Sequence, residues 1–572
     1  MKFLWSYFKK YRLESILAPL FKCLEACFDL AVPVIVAKII DTGIATANKP
    51  YIISRFLLLL AMAVLGLVSS CVAQYFAAKA AIGTAAGLRQ DLLCKIQTLS
   101  CGEVDAVGTS TLITRMTSDV NQVQNGLNMF LRLFMRSPFI VFGAMIMAFT
   151  INARLALIFV IAIAVLFFIV FGVMWLSNPL YKKVQQQLDG VTEATREDLN
   201  GVRVIRAFSR EGEQKKRFAA QNERLLHAQL FVGRVAAIMN PLTYLIVNAV
   251  IIAVLWLGAG KIQNGVLLSG SIIALINYIS QILVELVKLA NLITQLGRSV
   301  ASMNRVGQVL SLQSGMQFGG GSQPQAGAPA VQFNNVSFCY NGSAEPALQN
   351  ISFTAQKGQT IGVIGGTGSG KTTLANLILR FYDATGGTVL VNGVPVQSLS
   401  KQQLEQAVSA VLQRPRLFSG TVKSNLQLAA PQATEQQMLW ALRLAQAEDF
   451  VLEKGGLDAA VEQDGANFSG GQRQRLTIAR TLLSGAKIII LDDSLSALDF
   501  ATDAAVRRAL KTLPKDVTVF FISQRVGSIA GADRILVLDD GALVGSGTHS
   551  ALLQSCGVYR EIFESQTKGA EA

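Results

Sequence analysis

Long apolar runs in roughly the first 300 residues constrain the fold of this chain more than any other feature. A helix of about 20 predominantly apolar residues crosses the hydrocarbon core of a bilayer. Six segments have this character and predict six membrane-spanning helices, at residues 14–40, 52–77, 129–151, 153–176, 240–260 and 267–295. The first half of the chain is therefore predicted to be an α-helical membrane domain.

The connections between these runs differ in length and charge. Segments 41–51, 151–154 and 261–266 are short, whereas segments 78–128 and 177–239 are long, polar and helix-patterned. Lys and Arg are abundant in the second long segment, and basic residues concentrate in cytoplasmic loops. We therefore expect both long segments and both chain ends in the cytoplasm of a bacterial cell, and the short connections at 151–154 and 261–266 outside the plasma membrane.

Composition agrees with a multi-pass membrane protein rather than a nucleic-acid binder. The 572 residues are 51% hydrophobic and 15% charged, with a net charge of +14. No basic stripe interleaves with aromatic residues, so nucleic acid is not an expected partner. Residues 1–12 are aromatic and basic, which favours an interfacial elbow helix on the inner leaflet over a cleaved signal peptide. The seven cysteines show no CxxC spacing and fit a reducing cytosol.

The remainder of the chain resembles a soluble α/β protein. Residues 314–330 are rich in Gly, Pro, Ser and Gln, as flexible linkers are. Strand-like and helix-like segments alternate after them, as in a sheet covered by helices. The predicted organisation is a membrane domain over 13–310, a linker over 311–330 and a nucleotide-binding domain over 331–572.

A glycine-rich motif follows the apolar strand 360–364 and opens a helix. It matches GxxxxGK[ST], in which backbone N–H groups surround phosphate while the helix N-terminus adds positive potential. Lys371 is expected to reach the outer phosphates, and Thr372 to bind Mg²⁺. The predicted ATP-binding residues of this loop are Gly365, Thr367, Gly368, Ser369, Gly370, Lys371, Thr372 and Thr373.

Further motifs follow in an order that is specific to one family. The buried-strand run 487–491 ends in Asp492, the expected second carboxylate for Mg²⁺. The segment Phe468–Gln472, FSGGQ, resembles the signature motif of ABC transporters, and the chain as a whole resembles an ABC exporter half-transporter. The resemblance implies a six-helix exporter-type membrane domain fused to an α/β P-loop NTPase domain, with ATP and Mg²⁺ as ligands.

The same resemblance assigns roles to other residues. It implies that Tyr340 stacks on adenine, that Gln413 is the Q-loop glutamine that contacts Mg²⁺, and that Asp499 belongs to the D-loop. It also implies a dimer in which each ATP lies between one P-loop and the signature of the other subunit. The signature residues expected at the ATP of the partner are Ser469, Gly470, Gly471 and Gln472.

Two positions depart from the family pattern. Asp493 follows Asp492 where the family has a glutamate, and Gln524 stands where the family has the switch histidine. The shorter Asp carboxylate would fall short of the attacking water, and a positioned base is worth roughly 10²–10⁴-fold in rate. The paired change resembles the degenerate site of heterodimeric bacterial multidrug exporters. Tolerated drift in a slow but working enzyme is the alternative.

Charged residues in the predicted spans allow two interpretations. Glu25 and Asp29 lie one turn apart on the first predicted helix, and intramembrane acids usually face a cavity or a partner. They are candidates for binding a cationic substrate or a structural ion, while a pair of Glu25 with Lys22 or a role at an interface is the alternative. Glu285 and Lys288 are spaced to pair with each other.

Two loop segments, 111–119 and 201–209, resemble the coupling helices of exporters, which dock on nucleotide-binding domains. Three functions remain open at this point. The chain is a subunit of an exporter for amphipathic, drug-like compounds that works with a homologous partner, a self-sufficient homodimeric exporter, or an ATP-gated regulator or channel with little turnover. The substrate itself cannot be inferred from apolar helix faces.

Overall fold

The computed structural model describes residue 7 and the ranges 9–325, 327–343 and 345–568. The elbow helix expected over residues 1–12 lies largely outside these residues. The chain divides into two compact units. One comprises residues 1–96 and 110–311, and the other comprises residues 97–109 and 312–572.

Long helices make up the membrane unit. Their apolar faces build a core in which Phe159, Leu275 and Tyr278 are fully buried. The helices from the start of the chain to the linker are α1 Arg12–Lys38, α2 Lys49–Thr98, α3 Cys101–Val107, α4 Thr109–Ile151, α5 Ala153–Asn200, α6 Val202–Ala207, α7 Glu211–Gln263 and α8 Ser269–Ser311.

Five helices, namely α2, α4, α5, α7 and α8, are long and apolar enough to cross a membrane, within the residues that the structure describes. The sixth predicted span, 14–40, corresponds to α1, in which acidic and basic residues interrupt the apolar sequence. Most spans continue well beyond the bilayer length: α2 has 50 residues and α5 has 48. The long polar segments are therefore extensions of the spanning helices, as the helical pattern predicts.

Two of the short connections lie at the same end of the membrane unit. Asn152 caps α5 by accepting a hydrogen bond from the Leu155 backbone N–H at 3.2 Å. The same amide oxygen accepts a hydrogen bond from Lys261 Nζ at 3.0 Å. Segments 151–154 and 261–266 thus face one side, as predicted.

The nucleotide-binding unit has two main sheets. One has the strand order β12-β11-β3-β10-β9-β6, parallel except for β12, and the other is antiparallel with the order β2-β1-β4-β5. The strands are β1 Val331–Phe338, β2 Leu348–Ala355, β3 Thr360–Ile364, β4 Gly386–Val391, β5 Val394–Pro395, β6 Val408–Val411, β7 Gly420–Thr421, β8 Ala460–Val461, β9 Ile488–Asp492, β10 Thr518–Ile522, β11 Arg534–Asp539 and β12 Ala542–Gly547.

Helices cover the parallel sheet, as expected for an α/β domain. The central strands β9 and β10 are buried along their whole length, because helices or the second sheet cover both faces. The helices are α9 Lys371–Ile378, α10 Lys401–Ala407, α11 Val422–Gln427, α12 Glu435–Leu444, α13 Glu448–Glu453, α14 Gly470–Leu483, α15 Phe500–Leu510, α16 Val526–Ile529, α17 His549–Ser555 and α18 Gly557–Lys568.

The predicted linker is irregular between Ser311 and Val331 but not free of contacts. Gly319 N–H donates to the Leu399 carbonyl at 3.1 Å, and Gln325 N–H donates to the Asn392 carbonyl at 3.1 Å. The segment therefore runs along the nucleotide-binding unit instead of forming a solvated tether.

The first predicted coupling segment pairs with residues of the membrane unit, and its docking stays a prediction. Residues 111–119 belong to the membrane unit, where buried Asp119 accepts hydrogen bonds from Arg115 and Arg305. The segment that packs with the nucleotide-binding unit is α3, where Tyr382 Oη donates to Asp105 Oδ2 at 2.5 Å. Segment 201–209 contains α6, also in the membrane unit, and its docking stays a prediction.

Candidate nucleotide site

The loop between β3 and α9 has the backbone conformation that its glycines allow. Gly368 and Gly370 have φ values of 87° and 94°, in the left-handed region that favours glycine. A Cβ atom on Gly365 would lie 2.1 Å from the Leu538 carbonyl oxygen, so no side chain fits there. The loop therefore approaches its neighbours closely and exposes backbone N–H groups at the start of α9.

Lys371 is the first residue of α9 and is buried. Its Nζ donates hydrogen bonds to the carbonyls of Gly365 at 2.9 Å and Gly366 at 2.5 Å, and to Ser369 Oγ at 3.3 Å. Burial lowers the pKa of the Lys371 ammonium, while Asp492 and Asp493 oppose this shift. The cation is thus held inside the phosphate loop and faces two carboxylates.

Asp492 ends β9 and is 2% exposed. Burial raises the pKa of its carboxyl group, and a hydrogen bond from Thr372 together with the charge of Lys371 opposes the rise. Mg²⁺ prefers oxygen ligands, and three are offered here: the carboxylate of Asp492, the hydroxyl of Thr372 and the amide oxygen of Gln413. These three side chains line one cleft, so the residues present fit the ion expected from the sequence.

The cleft has a volume of about 340 Å³ and joins residues from six separate segments. Ala347, Ile522 and Ser523 also line it, and sequence analysis missed them because small or apolar residues carry no motif signal. The predicted residues that it brings together are Tyr340, Thr367, Gly368, Gly370, Lys371, Thr372, Thr373, Gln413, Asp492, Asp493 and Gln524.

Tyr340, the expected adenine-stacking residue, lines this cleft. Its hydroxyl is 3.2 Å from Thr373 Oγ1, and its ring meets the Tyr382 ring edge to face with centroids 5.2 Å apart. Both contacts fix the orientation of the ring. An aromatic face of fixed orientation can stack on a base without losing much side-chain entropy.

Asp493 and Gln524 both line the cleft. Asp493 has a φ of 43°, and its backbone N–H donates to the Ile522 carbonyl at 2.9 Å. Burial raises the pKa of its carboxyl group, against the lowering effects of Ser496 and Arg525. The carboxylate is therefore attached to a backbone that β10 holds in place.

The predicted signature and D-loop residues do not line this cleft. Ser469 caps α14: its Oγ accepts from Gln472 N–H at 3.3 Å, and Gln472 Oε1 accepts from Ser469 N–H at 3.0 Å. Ser469 and Gly470 are exposed at the start of that helix. Asp499 caps α15 by accepting from the N–H groups of Ala501 and Thr502.

One group of charged residues in the membrane unit is connected around Arg136. Arg136 lies 2.8 Å from Asp29, 2.8 Å from Glu285 and 3.9 Å from Glu25. Glu285 also accepts from Lys288 at 2.9 Å, as its spacing predicts. Sequence analysis missed Arg136, although an arginine inside a predicted span was a visible signal of a buried acidic partner.

Glu25 and Asp29 differ within this group. Lys22 pairs with Glu25 and is itself buried, and the Glu25 side chain is 15% exposed. The Asp29 side chain is 44% exposed. Glu25 is thus the more buried of the two and pairs with Lys22, whereas Asp29 pairs with Arg136 and is partly exposed.

A helical membrane unit joined to a P-loop domain with a separate signature helix defines an ATP-driven membrane transporter subunit. Residues 15–286 match the ABC transporter transmembrane region, and residues 348–496 match the ABC transporter domain. An uncharacterized ABC transporter ATP-binding protein of Mycobacterium tuberculosis is 35% identical over 99% of this chain and 98% of its own length. The chain belongs to the ABC transporter family.

Other comparisons agree with the architecture. An uncharacterized ABC transporter ATP-binding protein of Bacillus subtilis is 33% identical over 98% of both chains. An ATP-dependent lipid A-core flippase of Haemophilus influenzae is 29% identical over 99% of this chain and 97% of its own length. The structure of a bacterial Atm1-family ABC exporter with ATP bound has a TM-score of 0.79 at 22% identity, covering 98% of both chains, and shows the exporter fold.

Proposed function

We propose that this chain is one subunit of a heterodimeric ABC exporter whose own ATP site binds ATP but hydrolyses it slowly. The observation that carries the proposal is the contrast between the two parts of one cleft. The binding residues are complete around Lys371 and Asp492, while Asp493 and Gln524 replace the glutamate and histidine of the family. The signature at Ser469 would complete the active site of a homologous partner subunit.

The geometry of Asp493 supports slow hydrolysis rather than lost binding. Its backbone is tied to β10 through the Ile522 carbonyl, so the carboxylate cannot shift toward the phosphates to make up for one missing methylene. Gln524 can donate a hydrogen bond to a phosphate, but its amide carries no charge. Mg²⁺, when bound, would neutralise phosphate charge, and Asp492, Thr372 and Gln413 would hold it.

Drug-like, amphipathic compounds are the proposed cargo, moved out across the bacterial plasma membrane by alternating access. The charges around Arg136 balance: three carboxylates face Arg136, Lys22 and Lys288. A cationic group of the cargo would therefore have to replace one of these basic residues as the partner of a carboxylate, and Asp29 is the most exposed of the three acids. Asp29 is therefore the proposed contact with the cargo, and Glu25 the proposed structural member.

Paired substitutions test this assignment. Asp29→Asn should change the rate or the preference of transport while basal ATP hydrolysis is retained, because an exposed carboxylate is lost. Glu25→Gln is the matched comparison and should mainly lower the thermal stability of the purified protein, since it leaves Lys22 buried without its acid. Unchanged transport of every compound tested with Asp29→Asn would contradict a contact with the cargo.

The proposed orientation places segments 151–154 and 261–266 outside the cell. Asn264 is the better position for a cysteine probe, because it is exposed whereas Asn152 caps α5. In a background without native cysteines, Asn264→Cys should react with an impermeant thiol reagent added to intact cells. Reaction only after lysis would show that this segment lies on the cytoplasmic side, and would contradict the proposed orientation.

Co-purification tests the heterodimer directly. The tagged chain, extracted from the membranes of its native host, should bring along a second ABC chain with Glu and His at the positions of Asp493 and Gln524. The purified pair should hydrolyse ATP, and this chain alone should bind ATP with little turnover. Recovery of this chain alone as an active homodimer would support the self-sufficient exporter instead.

A further inference from the structure

The last helix of the chain, α18, contacts the segment that carries Gln524. Gln566 Nε2 donates to the Gln524 carbonyl oxygen at 2.7 Å, and Gln566 Oε1 accepts from the Val526 backbone N–H at 2.9 Å. One side-chain amide therefore satisfies a donor and an acceptor on either side of Arg525. Such a two-point contact fixes the direction of the backbone between the two bonds.

The sequence of α18 explains how Gln566 reaches this place. Tyr559, Ile562 and Phe563 pack against the core of the nucleotide-binding unit, and Tyr559 is fully buried. These residues form a stripe with helical spacing, and Gln566 lies on the same stripe one turn further on. His549 supports the arrangement, since its Nδ1 is 2.7 Å from Tyr559 Oη. The helix is thus anchored before its final turn, where the glutamine projects.

A second side chain holds the same segment. Arg507 on α15 donates to the Gly527 carbonyl at 2.8 Å while it pairs with buried Asp503 at 2.9 Å. The segment that follows β10 is thereby held by two helices. Gln524 lines the nucleotide cleft, and its carbonyl oxygen accepts the hydrogen bond from Gln566.

We propose that Gln566 is a positioning residue, which aims the Gln524 side chain at the outermost phosphate and so makes this site prefer ATP over ADP. The inference rests on the proposed function in one respect: the site binds ATP. It adds a contribution from the C-terminal helix that the motif sequence does not contain. A loose segment after β10 would still allow adenine and the first two phosphates to bind, because Tyr340 and the phosphate loop hold them.

The test compares affinities for Mg-ATP and Mg-ADP in the full-length chain, reconstituted in lipid nanodiscs. Gln566→Ala should lower the affinity for ATP about 3- to 10-fold, in the range of one or two lost hydrogen bonds, and leave the affinity for ADP within about 2-fold. Gln566→Glu keeps the acceptor for Val526 N–H but cannot donate to the Gln524 carbonyl, so it should resemble the alanine variant.

Ser565→Ala is the matched control, because Ser565 is the preceding residue and its Oγ donates to the Ile562 carbonyl of its own helix at 2.9 Å. It should leave both affinities unchanged. A double-mutant cycle with Gln524→Ala separates positioning from general stability. In the Gln524→Ala background, Gln566→Ala should have no further effect on the ratio of ATP to ADP affinity, since both act through one side chain.

Two results would overturn the inference. Equal losses of ATP and ADP affinity would make α18 a purely structural element. Additive effects on the affinity ratio in the cycle would show that Gln566 does not act through Gln524. Failure of the proposed function has a different signature: substantial ATP turnover by this chain alone, whatever the residue at position 566.

Discussion

The two parts of the nucleotide cleft differ in how much of the family chemistry they retain. At the phosphate loop, Lys371, Thr372 and Asp492 are the residue types that the family uses, and burial holds the first and last in place. Asp493 and Gln524, which line the same cleft, are residue types that differ from the glutamate and histidine of the family. Binding and hydrolysis can therefore drift apart, because binding depends on the loop backbone and on charge, whereas hydrolysis depends on the reach of one carboxylate.

The largest effect is expected at the binding part. Lys371→Ala removes a buried cation aimed at the outer phosphates, and hydrogen bonds to charged groups are worth about 1.5–3 kcal/mol each. The affinity of this chain for Mg-ATP should fall by roughly 10- to 100-fold. A direct titration measures this affinity, and an unchanged value would contradict the assignment of residues 365–372 as a P-loop.

The next largest effect is expected at the signature, which does not line the cleft of this chain, and it concerns turnover of the complex. Ser469→Ala should lower turnover of the complete complex about 10-fold or more, because the Ser469 hydroxyl would face the ATP of the partner. The loss should appear even though every residue of the cleft in this chain is untouched. Steady-state ATP hydrolysis by the purified pair is the measurement.

Ser400→Ala provides a matched control for the signature variant. Ser400 caps α10 with Gln403 in the same reciprocal arrangement that Ser469 makes with Gln472. Loss of either cap costs helix stability of roughly 1 kcal/mol. If both variants lowered turnover equally, the effect of Ser469 would be one of stability, and its role at the ATP of the partner would be contradicted.

Restoring the two family residues tests the same comparison by a gain of hydrolysis instead of a loss. Asp493→Glu combined with Gln524→His should raise hydrolysis at this site several-fold, since a positioned base is worth about 10²–10⁴-fold when its geometry is complete. The positive φ at Asp493 favours Asp over longer residues, so a partial gain is expected. Single-turnover hydrolysis in a pair whose partner site is disabled measures it, and a lower rate than the unmodified chain would contradict the assignment.

Local motifs were predictable from the sequence, and long-range pairings were not. The phosphate loop follows from a short glycine pattern between a strand and a helix, so its residues converge in the structure as expected. Arg136 pairs with Asp29 and Glu285 across 107 and 149 residues, and nothing in a single sequence sets that contact. For the same reason the sequence did not predict the contact of α3 with Tyr382, or the contact between Gln566 and the segment after β10.

The smallest expected effect tests the central claim most directly. Asp493→Ala in this chain, assembled with its partner, should change steady-state ATP turnover of the complex by no more than about 2- to 3-fold, because the glutamate of the partner would perform hydrolysis at the other site. The equivalent substitution of that glutamate should nearly abolish turnover. If Asp493→Ala itself abolishes turnover, Asp493 is a working catalytic base, and the site described here hydrolyses ATP in its own right.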